Sequence, residues 1–268
     1  MADTRRTALV TGTSSGLGRG TAERLVSLGW DVIGTVRSPV DDVSFETVHL
    51  DVTDDAAVEA LGRTIVDRWG RLDALVNNAG YGLLGPIEEL TAAELLDQLH
   101  VNTVAPLWLT RACLPALRAA GGVVVQVSSV SGYSPSPLFG AYNASKFGLE
   151  GASEALAQEV QPQGVRVVLV EPGPFRTNIT RARHGRVAAA QSTGLYDEGW
   201  AGVEQWAAWH YTESPDMSVA VDAIVAAATR PDAPFRVPVG DGIVERLRQR
   251  GERLLAEAAE ADAFLDQL

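Results

Sequence analysis

Cysteine and lysine each occur only once in this chain of 268 residues, as Cys113 and Lys146. A single cysteine excludes an internal disulfide and a cysteine-based metal cluster. It also fits the reducing conditions of the cytoplasm, which is the location we expect. The four histidines are scattered and lack the close spacing of a zinc site, so we expect no metal. The one lysine stands out because the chain otherwise carries its positive charge on arginine.

Basic residues and long apolar runs are also scarce. The chain has 22 Lys and Arg against 34 Asp and Glu, which gives a net charge of -12 and a pI of about 4.8. Binding to nucleic acid requires a basic surface, so we expect no nucleic-acid partner. No apolar run approaches the ~18 residues of a membrane span, and the polar start of the chain does not resemble a signal peptide. We therefore expect no membrane association.

The segment A-Y-N-A-S-K-F-G at 141–148 contains Tyr142 and Lys146, four positions apart. In a helix these two side chains lie on the same face. A phenol has a pKa near ~10, and a neighbouring ammonium lowers that pKa by favouring the phenolate. Such a tyrosine can act as a general acid or base. The pair is a candidate catalytic centre, although an ordinary helix can also place a Tyr and a Lys at this spacing.

A glycine-rich segment follows the first predicted strand, Thr7 to Thr11. It contains Gly12, Gly16 and Gly18 and leads into a helical pattern over about 17–28. Glycines in such a turn let the backbone approach a pyrophosphate, and the start of the helix supplies free N–H groups and a positive dipole end. The arrangement predicts a dinucleotide phosphate site, with a plain tight turn as the alternative.

The second predicted strand, Asp31 to Val36, is followed by Arg37, and no acidic residue lies between Val32 and Ser38. Folds that prefer NAD place an acidic side chain at the end of this strand, where it binds the ribose hydroxyls. An arginine there suits the 2′-phosphate of NADP instead. Arg37 therefore favours NADP(H) over NAD(H), with a solvated surface arginine as the alternative.

Further polar and small residues follow the later strands. Asp51 and Val52 come after the third strand, N-N-A-G at 77–80 after the fourth, two serines at 128–129 after the fifth, and E-P-G-P-F-R-T at 171–177 after the sixth. In open parallel sheets, ligands bind outside the carboxyl ends of the strands. We therefore expect these segments to line a single ligand site.

Asn102 lies inside a long helical pattern that runs from about Ala92 to Ala119. Asparagine is unfavourable inside a helix, and Pro106 lacks the N–H that would bond to the carbonyl of Asn102. That carbonyl would then face a water or a side chain. The alternative is an asparagine that faces solvent.

Apolar strands alternate with helical patterns along most of the chain, which predicts an α/β fold with a doubly wound parallel sheet. We expect one domain over residues 1–268, with about seven strands and helices on both faces. The last strand, Phe235 to Gly240, contains Pro238, which favours an edge position. Periodicity fades at about 178–215, where three tryptophans fall within ten residues, and this region is a candidate substrate lid or an aromatic packing element. A helical extension follows at 243–268.

Seven motifs, in order, resemble the classical short-chain dehydrogenase/reductase family over nearly the whole chain to about residue 240. They are T-G-T-S-S-G-L-G (11–18), D-V-T (51–53), N-N-A-G (77–80), Asn102, Ser129, Y-N-A-S-K (142–146) and P-G-P-F-R-T (172–177). The glycine spacing is similar to the classical branch and not to the extended, epimerase-like branch. The resemblance implies a single-domain Rossmann-type fold.

The resemblance implies catalytic roles for four residues. Tyr142 would exchange a proton with the substrate oxygen, and Lys146 would lower its pKa and bond the nicotinamide ribose. Ser129 would hydrogen-bond the substrate oxygen, with Ser128 as the less favoured choice, so Ser129 and Tyr142 are also the implied substrate-binding residues. Asn102 would hold a water that links Lys146 to bulk solvent. The cofactor supplies the hydride chemistry.

The resemblance also implies a set of cofactor contacts. The implied residues are Gly12, Ser14, Ser15, Gly16, Leu17, Gly18, Arg37, Asp51, Val52, Asn78, Ala79, Gly80, Tyr142, Lys146, Pro172, Gly173 and Thr177. Many NADP-binding relatives carry a basic residue where this chain has Ser15. The expected preference for NADP(H) therefore rests on Arg37 and on the missing acid.

The implied activity is that of an oxidoreductase that transfers a hydride between NADP(H) and a ketone or secondary alcohol. The V-R-S ending at 36–38, the long region after Pro174 and the C-terminal helix are similar to the branch that acts on lipophilic substrates, so we expect a lipophilic or secondary-metabolite carbonyl compound. The alternatives are an inactive NADP(H)-binding sensor or scaffold, and a dehydratase or epimerase that uses the same Tyr–Lys pair. Family members are commonly homodimers or homotetramers built on the helices at about 92–119 and 141–160, and we expect one of these assemblies.

Overall fold

A single sheet of seven parallel strands forms the centre of the computed structural model, which describes residues 5–176, 193–213 and 215–268. The strands are β1 (Thr7–Val10), β2 (Asp31–Val36), β3 (Glu46–His49), β4 (Ala74–Asn77), β5 (Val123–Val127), β6 (Arg166–Pro172) and β7 (Arg236–Val239). Their order is β3-β2-β1-β4-β5-β6-β7, and every neighbouring pair is parallel. The predicted doubly wound sheet is confirmed, and β7 lies at an edge, as Pro238 predicted.

Eight α-helices accompany the strands in the described residues. They are α1 (Gly16–Ser27), α2 (Asp55–Trp69), α3 (Ala92–Leu99), α4 (Ala105–Ala120), α5 (Gly140–Val160), α6 (Asp197–Thr212), α7 (Ser218–Thr229) and α8 (Ile243–Leu265). None of the described helices is long and apolar enough to cross a membrane.

The core lies on both faces of the sheet, because alternate residues of each strand point to opposite sides. Val10 and Val125 belong to a buried cluster with α1 and α7 on one face. Leu9 and Val124 belong to a second cluster with α2 and α4 on the other face. Covering both faces explains why the strands read as continuous apolar runs and not as alternating ones.

The long helical pattern at 92–119 is not one helix, which corrects the expectation from the sequence. α3 ends at Leu99, a π-helical turn spans His100–Val104, and α4 begins at Ala105. The N–H of Ala105 bonds to the carbonyl of His100, five residues back. Pro106 offers no N–H to the turn before it, so the chain changes its hydrogen-bond register there. Single π turns of this type are frequent at functional sites.

The strand order reverses between β1 and β4. The chain first builds outward from β1 to β3 and then returns to place β4 on the other side of β1. The connections that leave β1 and β4 therefore run to opposite faces of the sheet and leave a crevice at the carboxyl ends of these strands. In doubly wound sheets this crevice is where ligands bind.

Candidate active site

A cavity of about 690 Å³ opens at the carboxyl ends of the strands. Most residues that the sequence indicated line this cavity: Gly12, Ser14, Ser15, Gly16, Leu17, Arg37, Asp51, Val52, Asn78, Ala79, Gly80, Ser129, Tyr142, Lys146, Pro172 and Gly173. Gly18 and Asn102 are buried and lie outside the lining. Thr177 lies outside the described residues. Residues that follow different strands, far apart in the sequence, thus line one cavity.

The glycine turn after β1 requires glycine for two reasons. Gly12 and Gly16 have φ values of +71° and +59°, which other residues rarely adopt. A Cβ atom on Gly12 would lie 3.0 Å from the Cα of Ala79, and one on Gly18 would collide with the Gly12 carbonyl. The first turn of α1 contains no acidic residue, so no side chain of that turn neutralises the positive end of the helix dipole. These features form a cradle that fits a pyrophosphate.

Asn78 fastens this turn to the end of β4. Its Nδ2 donates to the backbone carbonyl of Thr11 at 2.9 Å. In return, the Thr11 Oγ1 accepts hydrogen bonds from the backbone N–H groups of Asn78 and Ala79, both at 2.9 Å. The sequence placed Asn78 along the cofactor; in the structure it lines the cavity while its amide group shapes the glycine turn. Thr11 was not singled out, although its position at the end of β1 was a usable signal.

Arg37 and Asp51 line the cavity at the ends of two neighbouring strands. They follow β2 and β3, which are neighbouring strands paired from Ile33 to Val36. Arg37 is exposed. The Asp51 carboxylate accepts hydrogen bonds from the backbone N–H and the hydroxyl of Thr53, at 3.0 and 2.7 Å. An arginine and an ordered carboxylate therefore stand at two strand ends that the sequence predicted to contact the cofactor.

Tyr142 and Lys146 lie in the first two turns of α5 and are both buried. The Lys146 Nζ donates to the backbone carbonyl of Val127 at 2.8 Å and lies 5.9 Å from the centre of the Tyr142 ring. The hydroxyls of Tyr142 and Ser129 share a hydrogen bond, and the Ser129 Oγ also accepts from the N–H of Ser131 at 3.1 Å. Two hydroxyl groups thus meet in the cavity beside an ammonium group.

Burial shifts the pKa values of this pair in opposite directions. It raises the pKa of Tyr142, and the hydrogen bond with Ser129 acts against that rise. It lowers the pKa of Lys146 to about 8, while the negative charge of Glu150 acts in the other direction. The sequence assigned the lowering of the tyrosine pKa to Lys146. In the structure the contact that lowers the pKa of Tyr142 is with Ser129, while the Lys146 ammonium donates to the Val127 carbonyl, so the effect of Lys146 on Tyr142 stays a prediction.

The two serines at the end of β5 have different partners. The Ser128 Oγ donates to the Glu150 carboxylate at 2.7 Å in a buried contact, and its backbone N–H bonds to Val170. Ser129, by contrast, is hydrogen-bonded to Tyr142. Ser129 is therefore the serine beside Tyr142, and its role in binding the substrate oxygen stays a prediction.

Asn102 is buried, so the alternative of a solvent-facing asparagine is wrong. Its side chain accepts from the N–H of Tyr81 at 3.2 Å and donates to the carbonyl of Tyr81 at 2.9 Å. It also donates to the Ser145 Oγ at 3.1 Å, and Ser145 donates to the carbonyl of Tyr142 at 2.7 Å. The side chain therefore connects the loop after β4 to the helix that carries Tyr142.

A partly buried charge cluster lies behind α5, and the sequence analysis did not predict it. Arg236 of β7 donates to Glu150 of α5 at 2.7 Å and also pairs with Glu171 of β6 and Glu154 of α5. Burial raises the pKa of Glu171 to about 7, and the charge of Glu150 adds to the rise, while Arg236 opposes it. A glutamate inside the apolar strand β6 was the available signal, but its partners lie far away in the sequence.

The remaining wall of the cavity is mainly apolar. α6 presents Gly199, Gly202, Val203 and Trp206, which share one helical face, to the cavity. The Trp206 ring packs edge to face on Phe139, with a centroid distance of 5.4 Å and an angle of 89°. Trp206 therefore both lines the cavity and packs against an aromatic neighbour. The structure describes only residues 193–213 and 215 of the region 178–215.

The loop before α5 shapes this wall. Leu138 has a φ of +61°, which is unusual for a residue with a side chain and is typical of functional sites. Its backbone carbonyl accepts from the N–H of Gly85 at 2.7 Å. A Cβ atom on Gly199 would lie 3.2 Å from the Leu138 side chain, so this glycine permits close contact between the loop and α6.

Known proteins resemble this chain in sequence and in fold. Residues 6–187 match the family model of the short chain dehydrogenases. A short-chain dehydrogenase from Streptomyces avermitilis has a structure that is 36% identical, with a TM-score of 0.85 over 99% of both chains. A 3-ketodihydrosphingosine reductase from Bacteroides thetaiotaomicron is 40% identical over 178 residues, which is 66% of each chain. An NADPH-dependent 3-dehydrocapnine reductase from Ornithobacterium rhinotracheale is 39% identical over 191 residues, 65% of this chain and 67% of that protein.

The family match covers β1 to β6 and α5, the elements that carry the glycine turn and the buried Tyr–Lys–Ser group. The seven-stranded parallel sheet agrees with the structural match over the whole chain. The chain is therefore an oxidoreductase of the classical short-chain dehydrogenase/reductase family.

Proposed function

We propose that this protein is an NADP(H)-dependent carbonyl reductase that interconverts ketones and secondary alcohols, with Tyr142 as the general acid and base. The observation that carries the proposal is that the buried side chains of Tyr142, Ser129 and Lys146 line the same cavity as the glycine turn. The two named relatives are both reductases.

The chain's own groups would act on the substrate oxygen. The hydroxyls of Ser129 and Tyr142 both donate hydrogen bonds to the carbonyl oxygen, which polarises the carbonyl group. Tyr142 then gives its proton to this oxygen, and it takes the proton back in the reverse direction. Lys146 stabilises the phenolate that forms, because an opposite charge favours the ionised phenol. The nicotinamide cofactor supplies the hydride when it is bound.

Several features of the cavity fit NADP(H). The glycine turn and the start of α1 fit the pyrophosphate, since added Cβ atoms would close this cradle. Arg37 at the end of β2 suits a 2′-phosphate, and no acidic residue stands at this strand end. The relative from Ornithobacterium is named as NADPH-dependent. Pro172 and Gly173 at the end of β6 line the same cavity and would flank the nicotinamide.

The apolar wall favours a lipophilic substrate. Leu84, Leu138 and Phe139 line the cavity together with Val203 and Trp206 of α6. Apolar walls with a few placed polar groups are typical of sites that bind small organic ligands. The substrate would lie against this apolar wall with its carbonyl oxygen at Tyr142. α6 would then shield the reacting carbonyl from water.

A panel of ketones tests the proposal. Long-chain and aromatic ketones and small polar ketones are each mixed with NADPH or NADH, and the loss of absorbance of the reduced nicotinamide is recorded. We expect the apolar ketones to be reduced fastest with NADPH. The rate of reduction should be lower when NADH replaces NADPH, and lower when small polar ketones replace the apolar ones. Tight NADPH binding without turnover on any ketone would contradict the proposal and would favour the sensor alternative.

A further inference from the structure

The helix α8 extends away from the sheet and is exposed along most of its length. Every residue from 251 to 268 is exposed. The exposed fractions reach 47% for Leu254, 74% for Leu255 and 60% for Leu265. Most helical stability in proteins comes from packing an apolar face, and repeated leucines in water are unfavourable. The exposed leucines therefore indicate that a partner covers this part of α8.

Many of the small and apolar residues of α8 follow a heptad pattern, and Leu255 and Phe264 lie beside it. Small or apolar residues occur at alternating intervals of three and four positions: Val244, Leu247, Gly251, Leu254, Ala258, Ala261, Leu265 and Leu268. Every charged residue from position 244 onward lies between these positions. This is the spacing of the a and d positions of a coiled coil, in which each helix buries one narrow seam against a partner helix. We call these eight residues the α8 seam.

The two halves of α8 differ in net charge. The first half is net basic, because Arg246, Arg248, Arg250 and Arg253 outnumber Glu245 and Glu252, and the second half is acidic, with Glu257, Glu260, Asp262 and Asp266. No basic residue follows Arg253. Two copies that run in parallel would place like charges together, whereas two antiparallel copies would place the basic half against the acidic half. Complementary charges of this kind select the partner and its orientation.

We propose that α8 forms an antiparallel two-helix coiled coil with α8 of a second copy of this chain. If the two seams overlap completely, Val244 lies opposite Leu268 of the partner subunit, and Leu254 lies opposite Ala258 of the partner subunit. The large residues then meet at both ends, and the small residues of the middle allow the helix axes to approach closely. A two-fold axis generates both halves of this interface from one sequence, as in most homodimers.

This register also pairs the flanking charges. Arg248 lies beside Asp262 of the partner subunit, and the two-fold axis produces this pair twice. Within the described residues of its own chain, Arg248 contacts the Glu245 carboxylate at 3.4 Å, with both side chains exposed, and Arg250 lies 4.0 Å from Glu257. A membrane surface is a poorer occupant, because the acidic half of α8 would be repelled by anionic lipid.

A charge exchange tests both the partner and the orientation. Arg248→Glu alone and Asp262→Arg alone each create two like-charge pairs in the dimer, and we expect about tenfold weaker association for each. The double variant restores opposite charges in the antiparallel pair, so its association should return close to that of the wild type. Association is measured by sedimentation velocity over a dilution series. If the two single variants weaken association and the double variant does not restore it, the antiparallel register is wrong.

The seam itself is tested with Leu254→Arg and, as a matched control, Ala256→Arg, which lies on the same helix outside the seam. Leu254→Arg should halve the particle mass at a given concentration, and Ala256→Arg should not change it. Both should keep wild-type turnover, because neither position lines the cavity. An unchanged particle mass for Leu254→Arg would overturn the proposal. It would also be overturned if the wild-type protein sediments as a monomer and binds to phosphatidylglycerol vesicles.

Single cysteines give an independent measure of orientation. Cys113 is buried and burial raises its pKa to about 12, so it is a weak background nucleophile. In the proposed register, two copies of residue 255 lie about 3 Å apart along the helix axis, and two copies of residue 261 lie about 15 Å apart. A short bismaleimide should therefore link Leu255→Cys into dimers and leave Ala261→Cys unlinked. The opposite result would indicate a parallel pair and contradict the proposal.

Discussion

At the scale of single residues, the buried group of Tyr142, Lys146 and Ser129 determines the chemistry. Burial keeps the phenol of Tyr142 protonated, which is the form that can donate to a substrate oxygen. The pKa of Lys146 is lowered to about 8, so the ammonium predominates at neutral pH. Ser129 adds a second hydroxyl at the same point. At neutral pH the group is therefore arranged to give a proton, which is the direction of carbonyl reduction.

The first prediction concerns the pH dependence of ketone reduction. The folded protein lowers the pKa of Lys146, so the ammonium is lost at a lower pH than in an ordinary lysine. We expect kcat/KM for reduction to be constant below pH about 7 and to fall as the pH rises through about 8. In Lys146→Arg the residual activity should not show this inflection, because arginine stays protonated. An identical inflection in that variant would show that another group titrates.

The second prediction concerns Arg37. Removing a charged hydrogen-bond partner costs roughly 1.5–3 kcal/mol, so Arg37→Ala should raise the KM for NADPH by about 10- to 100-fold and leave the KM for NADH nearly unchanged. Arg63→Ala is the control, since Arg63 is exposed on α2 and does not line the cavity. Equal losses for both cofactors in Arg37→Ala would contradict a role in binding the 2′-phosphate.

At the scale of elements, the sequence predicted which segments are strands and helices more reliably than how they join. Gly12, Gly16 and Gly18 were sufficient to predict the turn between β1 and α1, because that turn has a local requirement for glycine. The π turn at His100–Val104 was not predicted, since one shifted hydrogen bond leaves the helical periodicity of 92–119 almost intact. Asn102 was selected, but its contacts with Tyr81 and Ser145 depend on tertiary packing.

The third prediction concerns the face of α6 that lines the cavity. A Cβ atom on Gly202 would meet no other atom within 4 Å, so a side chain there extends into open space. Gly202→Leu should therefore narrow the cavity, raise the KM for bulky apolar ketones by about tenfold or more, and leave small ketones little affected. Ala201→Leu on the exposed side of α6 is the matched control. Equal effects of both variants would contradict the assignment of this face to the substrate.

At the scale of the whole molecule, the sheet brings residues together that the sequence keeps far apart. Arg236 of β7 meets Glu150 and Glu154 of α5 and Glu171 of β6, so the last strand is tied directly to the helix that carries Tyr142 and Lys146. The sequence predicted the parallel sheet and the edge position of β7 from apolar runs and Pro238. It could not predict this cluster, because more than 60 positions separate Arg236 from each of its partners and no local pattern marks the contact.

The fourth prediction concerns the stability that this cluster contributes. The folded state raises the pKa of Glu171 to about 7 from the ordinary glutamate value of about 4.5, so between these values the folded protein binds more protons than the unfolded chain. Stability should therefore fall as the pH rises from about 4.5 to about 7. The side chain in Glu171→Gln cannot ionise. The free energy of unfolding of this variant minus that of the wild type should therefore increase by roughly 2 kcal/mol as the pH rises from 5 to 8. Denaturant unfolding of both proteins at each pH measures this difference, and a constant difference would contradict it.

The central claim is that Tyr142 transfers the proton in carbonyl reduction with NADPH. Tyr142→Phe keeps the ring and removes only the hydroxyl. The direct measurement compares its kcat on the best apolar ketone with that of the wild type, and compares NADPH binding by fluorescence titration. We expect kcat to fall by about 100-fold or more, while the Kd for NADPH changes by no more than about tenfold, since a loss of one uncharged hydrogen bond costs roughly 0.5–1.5 kcal/mol at most. Wild-type turnover in Tyr142→Phe would contradict the account.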